Sequence, residues 1–276
     1  MINLAGMLFL VGTPIGNLGD MSKRAIETIE NCDFIAAEDT RVTMKLLNYF
    51  NIKKPMISYF EHNKAKRTEE ICKRIEDGEI CVLVSDAGMP AISDPGEDLV
   101  KRCVELGIDV KVVPGPSAVI SAIVLSCLPT GRFTFEGFLS MNKKRRLEHL
   151  ESIKCEKRTM VFYEAPHKLS QTLIDLYNTL GNRDISIVRE ITKVHEEVIR
   201  TNLLSASEKY KEEKLKGEIV LVISGADDED ENEYTLEDAE KIALSYIEEG
   251  LSISEASKKA SKITGIKKGE IYKNLM

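Results

Sequence analysis

The sequence predicts an α/β protein of two sheet-bearing domains followed by a small helical domain, and three observations predict it. Short apolar runs with strand character alternate with helical patterns from residue 7 to residue 113. Adjacent strand patterns with no helix between them appear at 184–201. Five consecutive acidic residues, Asp227-Asp228-Glu229-Asp230-Glu231, then separate all of this from three short helical patterns.

Strand character occurs at 7–11, 33–37, 56–60, 80–84 and 109–113, with helical periodicity at 22–30, 43–49, 67–75 and 99–105. Such β-α-β alternation predicts a mainly parallel sheet flanked by helices, because parallel neighbours need a long crossover. Gly107 stops one helix, and Pro114-Gly115-Pro116 follows the fifth strand before Ser117 opens an apolar helix. The first domain is placed at 1–115. The second, at 116–226, offers strands at 134–138, 159–163, 184–189, 197–201 and 218–223, and helices at 144–153, 167–180 and 203–214. Its neighbouring strands at 184–201 predict a mixed sheet with an antiparallel hairpin or meander. Residues 227–276 read as an acidic, solvated linker and a helix-turn-helix-like tail, with helices at 236–249, 254–264 and 268–275 that stop at Gly250 and Gly265.

Composition narrows the function classes. A chain of 276 residues, 43% hydrophobic and 30% charged, can bury a real core and is neither disordered nor fibrous. Its apolar runs fall well short of the roughly 20 residues a membrane span needs, and no signal-peptide pattern opens it. Six cysteines, at 32, 72, 81, 103, 127 and 155, form no C-x-x-C pair, so a reducing cytoplasm is expected rather than a disulfide or zinc framework. The four histidines are scattered, and His195-Glu196-Glu197 lacks the second histidine of a zinc-protease helix; no metal is expected. The net charge of -7 counts against nucleic acid only until its distribution is read. Residues 227–276 hold 13 acidic and 7 basic side chains, so the acidity is local, and 252–276 carry six Lys against two Glu.

The loops at the strand ends hold the chemistry, since ligands of open α/β sheets gather beyond the carboxyl ends of the strands. The first, Gly12-Thr13-Pro14-Ile15-Gly16-Asn17-Leu18-Gly19-Asp20, matches neither G-x-G-x-x-G nor the P-loop, leaving a tight connection and ligand binding equally open. The second, Glu38-Asp39-Thr40-Arg41, suits a helix cap; its carboxylates and arginine also suit a polar or phosphorylated substrate. The third, residues 85–96, writes Ser-Asp-Ala-Gly and then Ser-Asp-Pro-Gly, far longer than the two to six residues or so of an ordinary connection. Its second half reads as a helix start, with Asp94 near the N-cap and Pro95 in the first turn. Further polar clusters end later strands: Tyr163-Glu164-Ala165-Pro166-His167-Lys168, with His167 expected in a first helical turn, and Arg189-Glu190-Ile191-Thr192-Lys193. Lys143-Lys144-Arg145-Arg146 reads as an exposed helix start or a phosphate-contact patch.

Six ordered stretches resemble one family: VGTPIGNLGD at 11–20, AAEDTRVTMKLL at 36–47, SDAGMPAISDPG at 85–96, VVPGPSA at 112–118, FYEAPHK at 162–168 and REITKVHEE at 189–197. They resemble the ribosomal RNA small subunit methyltransferase I family, within the tetrapyrrole methylase superfamily. The resemblance implies a two-domain tetrapyrrole methylase-like fold, that of the class III S-adenosylmethionine methyltransferases, with a small C-terminal helical domain. It implies S-adenosylmethionine folded into the interdomain cleft, a homodimer, and 2'-O-methylation of a cytidine in the decoding region of 16S ribosomal RNA, on free RNA or the 30S subunit. By motif position the cofactor is expected at Thr13, Pro14, Asp86, Gly88, Met89, Ser117, Ala118 and Tyr163. The family usually reads S-D-A-G-T-P, so Met89 stands where a threonine is usual.

A ribose hydroxyl is a weak acid, so Glu38, Asp39 and Glu190 are candidate bases, and Arg41, Arg189 and Lys193 candidate cations for phosphate or a developing alkoxide. RNA contact is expected at Lys143, Lys144, Arg145 and Arg146, with the tail lysines as a second patch. Two rival readings share these residues: methylation of a small tetrapyrrole, and a ribosome-assembly binder without cofactor affinity.

Overall fold

In a computed structural model the chain is described over residues 6–226, 235–248 and 250–276. It divides into two compact units, Met1–Gly225 and Ala226–Met276. The first unit carries two five-stranded sheets. In the first, β1 (Met7–Val11), β2 (Phe34–Ala37), β3 (Met56–Ser58), β4 (Ile80–Val84) and β5 (Asp109–Val113) run in the order β3-β2-β4-β1-β5, every pairing parallel. The strands alternate between two cores, as a period of two demands. Phe34, Ala36, Cys81 and Leu83 face one side with Leu99; Ile35, Ala37, Val82 and Val84 face the other with Ala25, Ile29 and Leu47. Helices α1 (Lys23–Asn31), α2 (Thr40–Tyr49), α3 (Lys64–Glu76) and α4 (Glu97–Glu105) supply the covering side chains, so the parallel sheet is buried on both faces.

Helix α5 (Ala118–Ser126), capped by the Ser117 hydroxyl, joins the two halves. Its Val119, Ala122 and Ile123 pack on Val161, Val188, Val220 and Val222 of the second sheet. That sheet runs β6-β7-β10-β8-β9, from β6 (Phe133–Phe138), β7 (Thr159–Glu164), β8 (Asp184–Arg189), β9 (Glu197–Asn202) and β10 (Ile219–Ile223). Only β6 and β7 pair in parallel; β8 and β9 form the antiparallel pair expected at 184–201. Its other face carries α6 (Lys143–Ser152), α7 (Leu169–Leu180) and α8 (Leu203–Lys209) over Met160, Phe162, Ile187 and Leu221. Helix α8 stops at Lys209, five residues before the expected end, where buried Tyr210 closes it.

The second unit holds α9 (Leu236–Glu248), α10 (Ile253–Thr264) and α11 (Lys268–Asn274) around Ala239, Ala243, Ala256, Ala260 and Ile271. Alanines let these short helices approach closely. A capping box of Ser252 and Glu255 starts α10, and Gly265, at φ 72°, ends it. The acidic run proposed as a linker lies outside the described residues. Among the described residues no helix is long and apolar enough to cross a membrane.

Where β1 and β5 end, Gly12 and Gly115 lie back to back. A Cβ built on Gly115 would come within 2.8 Å of the Gly12 Cα and carbonyl carbon, backbone atoms that no side-chain rotation can move aside. Gly115→Ala is therefore expected to destabilise the first unit by about 1–3 kcal/mol. Gly131→Ala, where a Cβ meets nothing within 4 Å, is expected to change stability by less than about 0.5 kcal/mol. Urea unfolding of both variants checks the contrast.

Candidate active site

The loops beyond β1, β4 and β5 meet those beyond β7 and β8 and the start of β10 around a cavity of about 430 Å3. A volume in this range suits a small-molecule ligand. Of the eight residues expected to touch a cofactor, Gly88, Met89, Ser117, Ala118 and Tyr163 line it, and Thr13, Pro14 and Asp86 do not. Thr13 is a brace instead. Its N–H donates to the Gly88 carbonyl at 2.9 Å, its carbonyl accepts from the Gly88 N–H at 3.1 Å, and its hydroxyl donates to the Ser85 carbonyl at 3.2 Å. Gly88 makes this turn at φ 82°, a backbone region that favours glycine. Met89 both lines the cavity and lays its sulfur over Gly12, within 2.7 Å of where a Cβ would stand. Position 89 thus acts on the cavity through shape and not through a hydroxyl. Tyr163 is packed edge-on against Phe135, with ring centroids 5.0 Å apart, and burial pushes its phenol pKa up.

The lining is mostly apolar, with Ile15, Ala118, Ile191 and Val220 among its walls, and all its ionisable side chains apart from Tyr163 are carboxylates: Asp94, Glu164 and Glu218. Glu164 is satisfied locally, accepting from Thr172 Oγ1 at 2.5 Å and from the Ala165 N–H at 2.7 Å. Glu218 is held by Lys193 at 3.1 Å. Asp94 has no cation. Burial pushes its pKa up to about 6, the charge on Glu38 adds to the shift, and a hydrogen bond from Ser85 opposes it. The sequence predicts Asp94 near the N-cap and Pro95 in the first turn, but α4 begins later, at Glu97, with Gly96 as its cap. Asp94 is therefore freed from capping and turned to the cavity. Sequence alone gives these three carboxylates no distinct signal: Asp94 and Glu164 lie within polar loops at strand ends, and Glu218 falls in the strand expected at 218–223.

The second loop clasps the third. The Asp86 carboxylate accepts from the Asp39 N–H at 3.0 Å, and the Glu38 carboxylate accepts from the Asp86 N–H at 3.4 Å. Burial and the neighbouring Asp86 raise the pKa of Glu38. Asp39 caps α2, accepting from the Arg41 N–H at 2.8 Å, and pairs with the Arg41 guanidinium at 2.5 Å, which holds its carboxyl down at about 2. The Arg41 side chain is 87% exposed, so it still faces solvent. Glu190 and Lys193 are also committed to each other, at 2.9 Å, and Glu190 accepts from the Glu218 N–H at 2.9 Å. Lys193 lowers the Glu190 pKa. Neither residue lines the cavity; Lys193 packs over Gly16 and Glu190 over Gly217, where added Cβ atoms would meet them at 2.5 and 2.4 Å.

The basic run divides in two. Lys143, Lys144 and Arg145 are exposed at the start of α6. Arg146 departs from the expected RNA patch: its side chain is 12% exposed and pairs with Asp175 at 2.7 Å, while its guanidinium also donates to the Ser140 and Met141 carbonyls. His167 stands exposed in the turn before α7, outside the helix in which it was expected.

Because the folded state raises the Asp94 pKa above its ordinary 3.8, folding is favoured when Asp94 is protonated and loses that contribution as pH rises through about 6. Asp94→Asn is expected to stabilise the protein at pH 8 by about 1 kcal/mol, allowing for solvent screening of a half-exposed group, and to leave it unchanged near pH 4. Denaturation midpoints at the two pH values test the sign.

The fold has known counterparts. Residues 7–206 match the model of the Tetrapyrrole (Corrin/Porphyrin) Methylases. A Synechocystis protein named Ribosomal RNA small subunit methyltransferase I is 46% identical over 97% of this chain and 96% of its own length. Its Thermotoga maritima namesake is 48% identical over 220 residues, 80% of this chain and 99% of its own. Among solved structures, uroporphyrin-III C-methyl transferase from Thermus thermophilus, complexed with S-adenyl homocysteine, aligns with a TM-score of 0.55 at 17% identity, over 79% of this chain and 97% of its own. Diphthine synthase aligns at 0.60 and 14% identity, over 79% of this chain and 89% of its own. At such identities the structures share the fold alone. The cavity's lining as far as Ile191 falls inside the matched span, with Glu218, Ile219 and Val220 beyond it, and the chain belongs to the tetrapyrrole methylase family and, within it, to the ribosomal RNA small subunit methyltransferase I proteins.

Proposed function

We propose that the protein transfers a methyl group from S-adenosylmethionine to the ribose 2'-oxygen of a cytidine in the decoding region of 16S ribosomal RNA, in the cytoplasm and as a homodimer. The observation that carries this reading is the charge of the cavity. Carboxylates line it without a single Lys, Arg or His, and apolar walls surround them. S-adenosylmethionine, which is net positive through a sulfonium and an ammonium against one carboxylate and carries a flat purine, suits that lining better than a nucleoside phosphate does. The names of relatives at 46% and 48% identity favour RNA over a small tetrapyrrole as the acceptor.

When bound, S-adenosylmethionine supplies an electrophilic methyl carbon on positive sulfur. Ile15, Ala118, Ile191 and Val220 give the cavity dry walls, and uncompensated Asp94 favours positive charge at its edge. Asp39 and Glu190 are held ionised by Arg41 and Lys193, which makes them poor proton acceptors and assigns them to holding the rim. Rate enhancement then rests on alignment and exclusion of water, which an in-line displacement rewards strongly. Exposed Arg41 suits an RNA phosphate next to the target, with Lys143, Lys144 and Arg145 extending the contact. Arg146 belongs to the α6–α7 ion pair and not to that surface.

Small-subunit RNA from a strain lacking the protein is expected to lose one 2'-O-methylcytidine by mass spectrometry, and an unchanged inventory refutes the reading. In a methyl-incorporation assay, Arg41→Ala and charge reversal of Lys143, Lys144 and Arg145 are each expected to cut activity at least about tenfold while calorimetry finds S-adenosylmethionine affinity within about twofold. The dimer is supported by apolar side chains left in solvent: Val112 on edge strand β5, and Ile120 and Val124 one turn apart on α5, 52%, 52% and 70% exposed. Light scattering is expected to give twice the chain mass of 30.9 kDa, and a monomer mass at micromolar concentration rejects the dimer.

A further inference from the structure

A second cavity, of about 540 Å3, lies beside the first, and Ser93 and Asp94 belong to the walls of both. The rest of its wall comes from Glu38 after β2, from Phe60, Glu61 and Lys64 at the turn into α3, from Ala91, and from residues 95–98 at the start of α4. The cofactor reading leaves this space unused.

Its charges restrict the occupant. Glu38, Glu61, Asp94, Glu97 and Asp98 are carboxylates, and Lys64, the cation among them, is already paired with Glu61 at 2.8 Å and Asp98 at 2.9 Å. A phosphate would meet uncompensated negative charge. A bare metal ion is no better suited, because among the described residues no three His, Cys, Asp or Glu side chains converge as ligands. Such a wall favours a ligand that offers N–H donors over one that brings negative charge.

Three features give that ligand an orientation. Glu38 leans one carboxylate oxygen on the Asp86 N–H at 3.4 Å, and its other oxygen accepts no hydrogen bond from the described residues. Helix α4 begins at Glu97 behind Gly96, which has no side chain to cap it; the Leu99 N–H is taken by the Tyr59 hydroxyl, and the Glu97 and Asp98 N–H groups find no partner among the described residues. Phe60, 39% exposed, adds a flat apolar wall. Cytosine presents an amine at C4 and a carbonyl at C2; uracil presents carbonyls at both. A carboxylate accepts from the amine and backbone N–H groups donate to the carbonyl, whereas uracil would set an oxygen against the lone pairs of Glu38.

We propose that this second cavity is the pyrimidine subsite of the methyl-transfer site. Glu38 accepts the exocyclic amine of the target cytosine, the N–H groups opening α4 meet its carbonyl, and Phe60 covers its face. The assignment rests on the methyltransferase reading and adds what selects the base. The shared wall puts base and cofactor on either side of Ser93-Asp94, an arrangement that leaves the linking ribose near the cofactor. In that wall Ala91 and Ser93 hold φ values of 66° and 63°, in the left-handed region that residues with side chains enter at a cost.

The test uses the full-length protein and small ribosomal subunits with the target cytidine unmodified, or rebuilt with uridine in its place. Methyl incorporation gives kcat/KM, and calorimetry gives S-adenosylmethionine affinity. Glu38→Gln, whose amide donates as well as accepts, is expected to lower kcat/KM on cytidine at least about tenfold and to narrow the cytidine preference by a similar factor, with cofactor Kd within about twofold. Phe60→Ala is expected to raise KM for the subunit at unchanged cofactor Kd. If both variants keep the rate and the base preference, the subsite is overturned. A fall in cofactor affinity in Glu38→Gln also overturns it, by moving the residue to the first cavity. Failure of the unaltered protein to bind S-adenosylmethionine or to methylate either subunit defeats the methyltransferase reading itself, and is seen without any variant.

Discussion

Two backbone hydrogen bonds between Thr13 and Gly88 hold the rest of the site in place. Strands β1 and β4 are neighbours in the parallel sheet, so their following loops leave side by side. The Thr13–Gly88 bridge pairs those loops in the antiparallel sense, which requires the third loop to fold back on itself. Gly88 supplies that reversal at φ 82°. The bridge ties the third loop to the first, and the Glu38 and Asp86 carboxylates tie it to the second by bonds to each other's loop backbone. Three loops that would each be mobile alone thus become one rim. Gly12 and Gly115 carry the constraint across to the loop after β5, since they touch where any side chain would force the strands apart.

A rigid rim can hold charges in unfavourable places. Cations near the site, Arg41, Lys64 and Lys193, are all bound to carboxylates at its edge, and none lines the first cavity. Asp94 is left half-buried without a counter-ion, a cost that a floppy loop would relieve by turning the side chain to water. Stability withheld at one position is the usual sign of a group waiting for its partner from outside the chain. A stretch of chain selected for stability alone would have placed an asparagine or a lysine contact there.

Much of the architecture was legible because apolar periodicity reports burial directly. The continuous runs at 80–84 and 219–223 became strands buried on both faces, and the adjacent patterns at 184–201 became the β8–β9 pair. The helix expected at 254–264 was legible at its end by Gly265, while the Ser252–Glu255 capping box that starts it was not read from the sequence. Less legible were single side chains whose partner lies far along the chain. Arg146 looked like its three neighbours in a basic run, yet Asp175, 29 residues away on α7, takes it out of solvent. Thr13 looked like a ligand contact, yet Ser85 and Gly88, more than 70 residues on, occupy all its polar groups. Asp94 failed for a different reason: Ser-Asp-Pro-Gly carries a true local capping signal, and the close packing of Gly96 against Ala91 and Leu83 overrides it by starting the helix at Glu97.

That override explains why the loop after β4 writes a similar phrase twice. Each phrase ends in a glycine at positive φ, Gly88 at 82° and Gly96 at 153°, so the chain reverses twice before α4 can begin. The first reversal brings Ser85 and Gly88 onto Thr13 and closes the rim. The second carries Ser93 and Asp94 out between two spaces before Gly96 returns the backbone to the sheet. A single short turn would join β4 to α4 at lower conformational cost and would leave one undivided groove. With two, the groove gains a wall with a carboxylate on it. A reaction that must keep a cationic donor and a neutral base apart, while exposing both to one ribose, needs such a wall, and the duplicated Ser-Asp-x-Gly supplies it from a dozen residues of ordinary turn chemistry.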